Sequence, residues 1–379
     1  MNFLIAGFAA TTWQQLVMYV IGALLIYLAI SKKLEPALLL PMGFGAILVN
    51  IPFSGALHTT MSGIGEVAGI LEWLFEVGIE ASEAMPLLLF IGIGAMIDFG
   101  PLLSNPKLIL FGAAAQFGIF ATISIAALLG FPLRDAASIG IIGAADGPTS
   151  ILVSQVLNSK YVGAIAVAAY SYMALVPIIQ PFAIKLVTTK KERAIRMPYN
   201  PKSVSRMTRL LFPVIVTLIA GYVAPASVSL VGLLMFGNLI RESGVLGSLS
   251  ETAQHVLANL ITLLLGITIS VSMRAEQFVR FETLIIMVLG LLAFVFDSIA
   301  GVLFAKLLNL FSKRKINPMI GAAGISAFPM SARVVQRMGI EADSQNHLLM
   351  HAVGANVAGQ IASVIAGGVI LGLVPGMLV

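Results

Sequence analysis

The chain has 379 residues, 59% hydrophobic and 10% charged, with a mean hydropathy of +1.00. A soluble domain carries roughly 25% charged residues, so this is the composition of a polytopic membrane protein. The net charge of +5 clusters in loops, where it reports topology before it reports nucleic acid. With no Cys there are no disulfides, thiolate metal sites, iron–sulfur clusters or cysteine nucleophile, and four His without ligand spacing argue against zinc or haem.

In chain order, "MNFLIAGFAATTWQQ" lacks the basic start of a cleaved signal peptide. Apolar segments long enough to span a bilayer, or nearly so, then fall at 15–31, 36–50, 86–99, 107–130, 161–187, 208–223, 227–241, 254–272, 283–309 and 345–375. Between the second and third lies 51–85, which has Glu66, Glu72, Glu76, Glu80 and Glu83 and no Lys or Arg. The four-residue spacing in "EWLFEVGIEASE" (72–83) predicts a short amphipathic helix outside the membrane. Segments 136–157 and 316–338 are apolar but interrupted by Gly, Pro and polar residues. Such breaks survive at membrane depth only where protein or a water-filled cavity satisfies the freed backbone.

The linker 188–209 carries Lys190, Lys191, Arg193, Arg196, Lys202, Arg206 and Arg209, and reads as a cytoplasmic loop that could also dock an acidic partner. Lys32-Lys33 and Lys313-Arg314-Lys315 belong on the same side. If both interrupted segments re-enter without crossing, all three basic clusters lie inside and both termini outside. If both cross, the linker lands opposite Lys32-Lys33, so the charge bias favours re-entry. An internal repeat fits this count. "GAADGPTSILVSQVL" (143–157) lies over "GISAFPMSARVVQRM" (324–338), with Pro148 over Pro329, and "FGAILVN" (44–50) lies over "FGNLIRE" (236–242). The expected architecture is an all-α polytopic membrane protein. Two inverted repeats, 1–187 and 210–379, have about five spans each, and their broken segments meet near the midplane.

Asp146 leads the polar candidates. An intramembrane carboxylate on a broken helix marks an ion pathway, whereas the bland reading is an Asp capping the helix that starts at Pro148. Ser326 sits one position off Asp146 in the repeat and offers a hydroxyl to Na⁺ or a proton; back-bonding to a helical carbonyl is its ordinary role. Arg333, expected two turns from Ser326 on one helical face, could bind a carboxylate, pair with Asp146 or snorkel. Tyr172 and Asn356 place polar oxygens in apolar helices. Asp98, before Pro101, reads as mainly structural. Asp297 lies mid-helix and is either a second ion or proton site or a hydrogen-bonded acid. There is no Walker A motif, GxSxG, HExxH or "AMKM"-type biotin-attachment site, so a substrate or cofactor must come from another protein.

The motifs "SIGIIGAADGPTSI" (138–151), "AYSYMALVPIIQP" (169–181), "NPMIGAAGISAFPMSARVVQ" (317–336) and "LLMHAVGANVAGQIAS" (348–363) resemble the β subunits of sodium-pumping, biotin-dependent decarboxylases. The likeness continues through "GAMIDFGPLLSNPK" (94–107), so it covers most of the chain. It implies a membrane subunit that decarboxylates carboxybiotin, consumes a proton and exports Na⁺ across a bacterial or archaeal cell membrane. Implied partners are a carboxyltransferase α subunit, a biotin carrier protein, a small membrane-anchoring γ or δ subunit and further copies of the chain; nucleic acid is not among them. Residue by residue, the resemblance implies Asp146, Ser326 and Asn356 as Na⁺ ligands. It further implies Arg333, Asn317 and Gly321 at carboxybiotin, and Tyr172 with Arg333 and Asp146 in catalysis. Where many relatives have "GGADG", this chain has Ala144. The alternative that composition leaves open is a secondary Na⁺-coupled transporter of a small organic anion; a channel or purely structural subunit explains the clustered polar residues less well.

Overall fold

A computed structural model describes residues 2–33, 36–61, 65–81, 83–199 and 203–377; Lys202 of the basic linker lies outside these. Helices dominate. Among the described residues, six are long and apolar enough to cross a membrane, and two bent pairs bring the number up to eight. The ten segments read from hydropathy each coincide with helix, from Trp13–Ser31 to Leu349–Met377. The fold is not purely helical, however: His58–Met61 pairs antiparallel with Gly65–Ala68. Ser62-Gly63 and Gly65 in "HTTMSGIGEVA" (58–68) are turn signals that the hydropathy reading passed over. The amphipathic helix expected over 72–83 is Ile70–Phe75, continued as one π-helical stretch, Glu76–Glu80. On it, Glu72 accepts from Arg274 at 2.5 Å, and its other carboxylate oxygen lies 3.0 Å from Nδ1 of His58 in the hairpin.

Helices in hydrocarbon gain little from apolar burial against one another, so close backbone approach at small residues carries the packing. Ala84–Met96 meets Val228–Ser243 in this way, with Gly94 against the Leu234 carbonyl and Gly237 against that of Ile91. Phe281–Phe311 similarly meets the short helix Met319–Ala322 through Gly301 and Gly321, each leaving room only for the other's carbonyl. Side chains facing outward on Arg206–Val223, among them Leu211, Ile215, Leu218 and Ile219, are exposed and apolar, as a lipid-facing helix requires.

Both interrupted segments double back. In the first, Leu133–Gly140 leads through the 3₁₀ turn Ile141–Ala144 to Gly147–Val156. Its two ends are joined where the Ser159 hydroxyl donates to Asp135 at 2.7 Å. In the second, Met319–Ala322 leads through an irregular stretch to Met330–Ala342. Its ends share one anchor, because Asn317 and Asn346 both donate to the Arg193 carbonyl at 2.9 Å. The first segment's ends thus lie beside the acidic region, around a cavity of about 310 Å³ that includes Glu72, Asn158, Lys160 and Arg274. The second segment's ends lie on the basic linker. There Arg196 holds Asp343 at 2.5 Å, Glu192 holds Lys306 at 2.9 Å, and the Arg196 guanidinium keeps the Asp343 carboxyl below its usual range.

Candidate functional site: where the broken segments meet

Ala145, with φ +53°, turns the chain out of the 3₁₀ stretch, and Asp146 is extended at the N-cap of Gly147–Val156. Pro148 suits the first turn of that helix because its missing N–H has no intrahelical task there. The carboxylate therefore sits at the positive end of a helix dipole. Its Oδ2 accepts from the Thr149 hydroxyl at 2.5 Å, and the residue is 4% exposed.

The second segment arrives from the other side. The Ser326 N–H donates to the Ala144 carbonyl at 3.1 Å, and the Ser326 hydroxyl reaches Asp146 Oδ2 at 3.5 Å. The stretch before Met330 is non-helical, which exposes the Ile325 and Ser326 carbonyls. Asn356 and Gln360, one turn apart on Leu349–Met377, each spend their amide N–H on one of them: Asn356 on Ile325 at 2.6 Å, and Gln360 on Ser326. This orientation leaves Asn356 Oδ1 and Gln360 Oε1 buried without a partner among the described residues. Buried polar atoms are seldom left so. Asp146, Ser326, Gln360 and Tyr170 line a common cavity of about 280 Å³. Carboxylate, hydroxyl and amide oxygens together form the donor set that a hard monovalent cation prefers to sulfur or nitrogen.

Other candidates lie elsewhere. Arg333 is exposed and lines a separate surface depression with Pro177, Met330 and Arg337. It makes no ion pair with Asp146. Nor does it share a helical face with Ser326, because the helix begins only at Met330. Tyr172 faces away from the cavity, and its hydroxyl donates to the Met287 carbonyl of Phe281–Phe311. Asn317 uses its whole amide within the fold, donating to Arg193 and Ile195 and accepting from Met319 N–H at 3.1 Å. Gly321 is a packing position against Gly301. Asp98 closes a local turn by accepting from the Gly100 N–H at 2.8 Å.

Asp297 serves as a helix cap across the fold. Its Oδ1 accepts from Gly118 N–H at 2.5 Å and Ile119 N–H at 3.3 Å, where span Pro106–Leu128 is interrupted at Gln116. Its other oxygen has no partner among the described residues and abuts Gly143, whose added Cβ would lie 2.7 Å from it. Thr149, Gln360 and Tyr170 were not singled out by the sequence. The regular spacing of Asn356 and Gln360 is the one signal that pointed to any of them.

Residues 14–374 match the family described as the Na⁺-transporting oxaloacetate decarboxylase beta subunit. The chain belongs to this family. It is 46% identical to the oxaloacetate decarboxylase beta chain of Klebsiella pneumoniae, covering 94% of each chain. It is 47% identical to the methylmalonyl-CoA decarboxylase subunit beta of Propionigenium modestum, over 97% of this chain and 96% of that one. To the glutaconyl-CoA decarboxylase subunit beta of Acidaminococcus fermentans it is 46% identical, over 98% and 96%. As a member of the beta-subunit family with six to eight candidate spans, it is a multi-pass membrane protein.

Proposed function

We propose that this chain is the membrane subunit of a Na⁺-pumping decarboxylase in a bacterial or archaeal cell membrane, and that Na⁺ is held where the two broken segments meet. The observation that carries this reading is the buried oxygen cluster, with Asp146 and Ser326 drawn together from opposite sides in a cavity that Gln360, with its unpartnered amide oxygen, also lines. A carboxylate at membrane depth is costly without a cation or proton. No Lys, Arg or His pairs with Asp146 among the described residues, so an exchangeable cation is its natural counter-charge.

In this reading the substrate is carboxybiotin on a carrier protein. Its decarboxylation takes up one proton and yields CO₂ and biotin. Arg333, exposed on the basic-linker side and without an ion pair among the described residues, receives the carboxylate. Ser326 and Arg333 lie on one short piece of chain, so a load taken up at Arg333 shifts Ser326 against Asp146. Proton uptake at the site then displaces Na⁺ toward the acidic side. The halves 1–187 and 210–379 act as inverted copies, and the linker 188–209 faces the cytoplasm with the α subunit and carrier. Relatives named for three different acids match the chain almost equally, which suits a subunit that meets only the shared carrier. Co-purification tests this assignment. A biotinylated carrier and a carboxyltransferase should accompany the chain, and decarboxylation by the complex should require Na⁺. Isolation without a biotinylated protein, or Na⁺-independent activity, would contradict it.

A further inference from the structure

The Asp146 cavity is lined by one more oxygen-bearing side chain, the phenol of Tyr170. Tyr170 is 1% exposed, and its hydroxyl has no hydrogen-bond partner among the described residues. Its ring lies flush on Gly147, the residue after Asp146, and a Cβ at Gly147 would be driven into the ring. The glycine in "ADGP" is thereby explained by the ring it admits, since the turn itself is made at Ala145. A Phe in this place would pack as well and would avoid burying an unpaired hydroxyl. The hydroxyl therefore has its partner in something that enters the cavity.

Tyr172 contrasts with it. Two residues turn a helix by about 200°, so the two phenols of "AYSY" point to opposite faces. Tyr170 belongs to the apolar cluster of Ile151 and Val167, Tyr172 to that of Ile142 and Leu289. The Tyr172 hydroxyl is already held by the Met287 carbonyl and acts as a tie between spans. We propose that Tyr170 supplies a neutral oxygen ligand to the cation held by Asp146. The proposal rests on the reading that Asp146 binds Na⁺.

The test uses the assembled decarboxylase complex with Na⁺ as the varied ligand. Tyr170→Phe keeps the ring on Gly147 and removes one oxygen. The Na⁺ concentration for half-maximal decarboxylation should rise about tenfold, the equivalent of one lost favourable contact, while the rate at saturating Na⁺ is retained. Tyr172→Phe should leave Na⁺ half-saturation in place. Protection of the complex by Na⁺ against thermal unfolding should follow the same order, which separates lost ligation from poor folding. Wild-type half-saturation in Tyr170→Phe, or an equal shift in both variants, overturns the proposal. Asp146→Asn, measured alongside, separates the two levels. If it also keeps the wild-type Na⁺ response, the underlying site reading fails. If it loses that response while Tyr170→Phe does not, only the role of Tyr170 fails.

Discussion

Gly321→Ala distinguishes packing from ligand contact at a position that resemblance places near carboxybiotin. Gly321 and Gly301 face one another, and a Cβ on either is driven into the other's carbonyl oxygen. The short helix Met319–Ala322 and the span Phe281–Phe311 must part by about 1 Å or more to admit it, and overpacking of that kind costs roughly 1–3 kcal/mol. Met319–Ala322 leads directly into the stretch that carries Ser326, so the displacement also loosens the 3.5 Å approach of Ser326 to Asp146. Thermal unfolding of the purified complex should fall in Gly321→Ala, and Na⁺ half-saturation should rise with it. Gly301→Ala, whose residue has no assigned part in substrate binding, should reproduce both effects. A Gly321→Ala complex of normal stability that fails only in carboxybiotin use, beside a wild-type Gly301→Ala, would refute the packing argument.

Three further outcomes follow from the hydrogen-bond pattern. Asn356→Ala removes an unpartnered oxygen and frees the Ile325 carbonyl, so it should raise Na⁺ half-saturation and cost about 1–3 kcal/mol of stability; Na⁺ titration and thermal unfolding read both. Asp297→Ala should lose about 0.5–2 kcal/mol with the cap on Gly118 and Ile119, and Asp297→Asn less because an acceptor remains; equal stability of the three proteins would remove the capping role. The Asp343 carboxyl is depressed by the hydrogen bond from Arg196. Its contribution to linker docking is therefore fully present above the unfolded carboxylate range and is lost as pH falls through the lowered folded value. An acid-active protease should accordingly cut the linker no faster between pH 8 and about pH 5 and faster only below the normal Asp range of about 4, while Asp343→Asn should speed tryptic cutting after Lys190, Lys191 or Arg193 at neutral pH.

Hydropathy made the spans legible because bilayer thickness imposes a length on any apolar helix. Segment 136–157 was legible as broken because Gly147-Pro148 after Asp146 suits the first turn of a helix better than its interior. That Ser326 would meet Asp146 was visible only as a repeat, and the Ala144–Ser326 hydrogen bond makes it geometry. Rotational phase was not legible. Which of Tyr170 and Tyr172 faces the cavity depends on how Val162–Val187 packs, and both side chains are buried. Arg333 illustrates the same gap: the expected shared face with Ser326 assumed a helix that starts four residues later. Asn317 was placed at carboxybiotin by resemblance alone, and no pattern in the sequence showed that its amide donates to backbone groups of the distant linker. The hairpin 58–68 escaped because a two-stranded ribbon this short is held by its surroundings rather than by strand propensity.

The central claim is that Asp146, at the junction of the broken segments, holds the transported cation. Equilibrium binding of radioactive sodium to the purified complex, wild type against Asp146→Asn, tests it most directly, because the substitution keeps the shape and removes the charge. Saturable binding in the wild type that is lost in Asp146→Asn, with the variant still folded and assembled, is the predicted result. Undiminished sodium binding in Asp146→Asn would contradict the account.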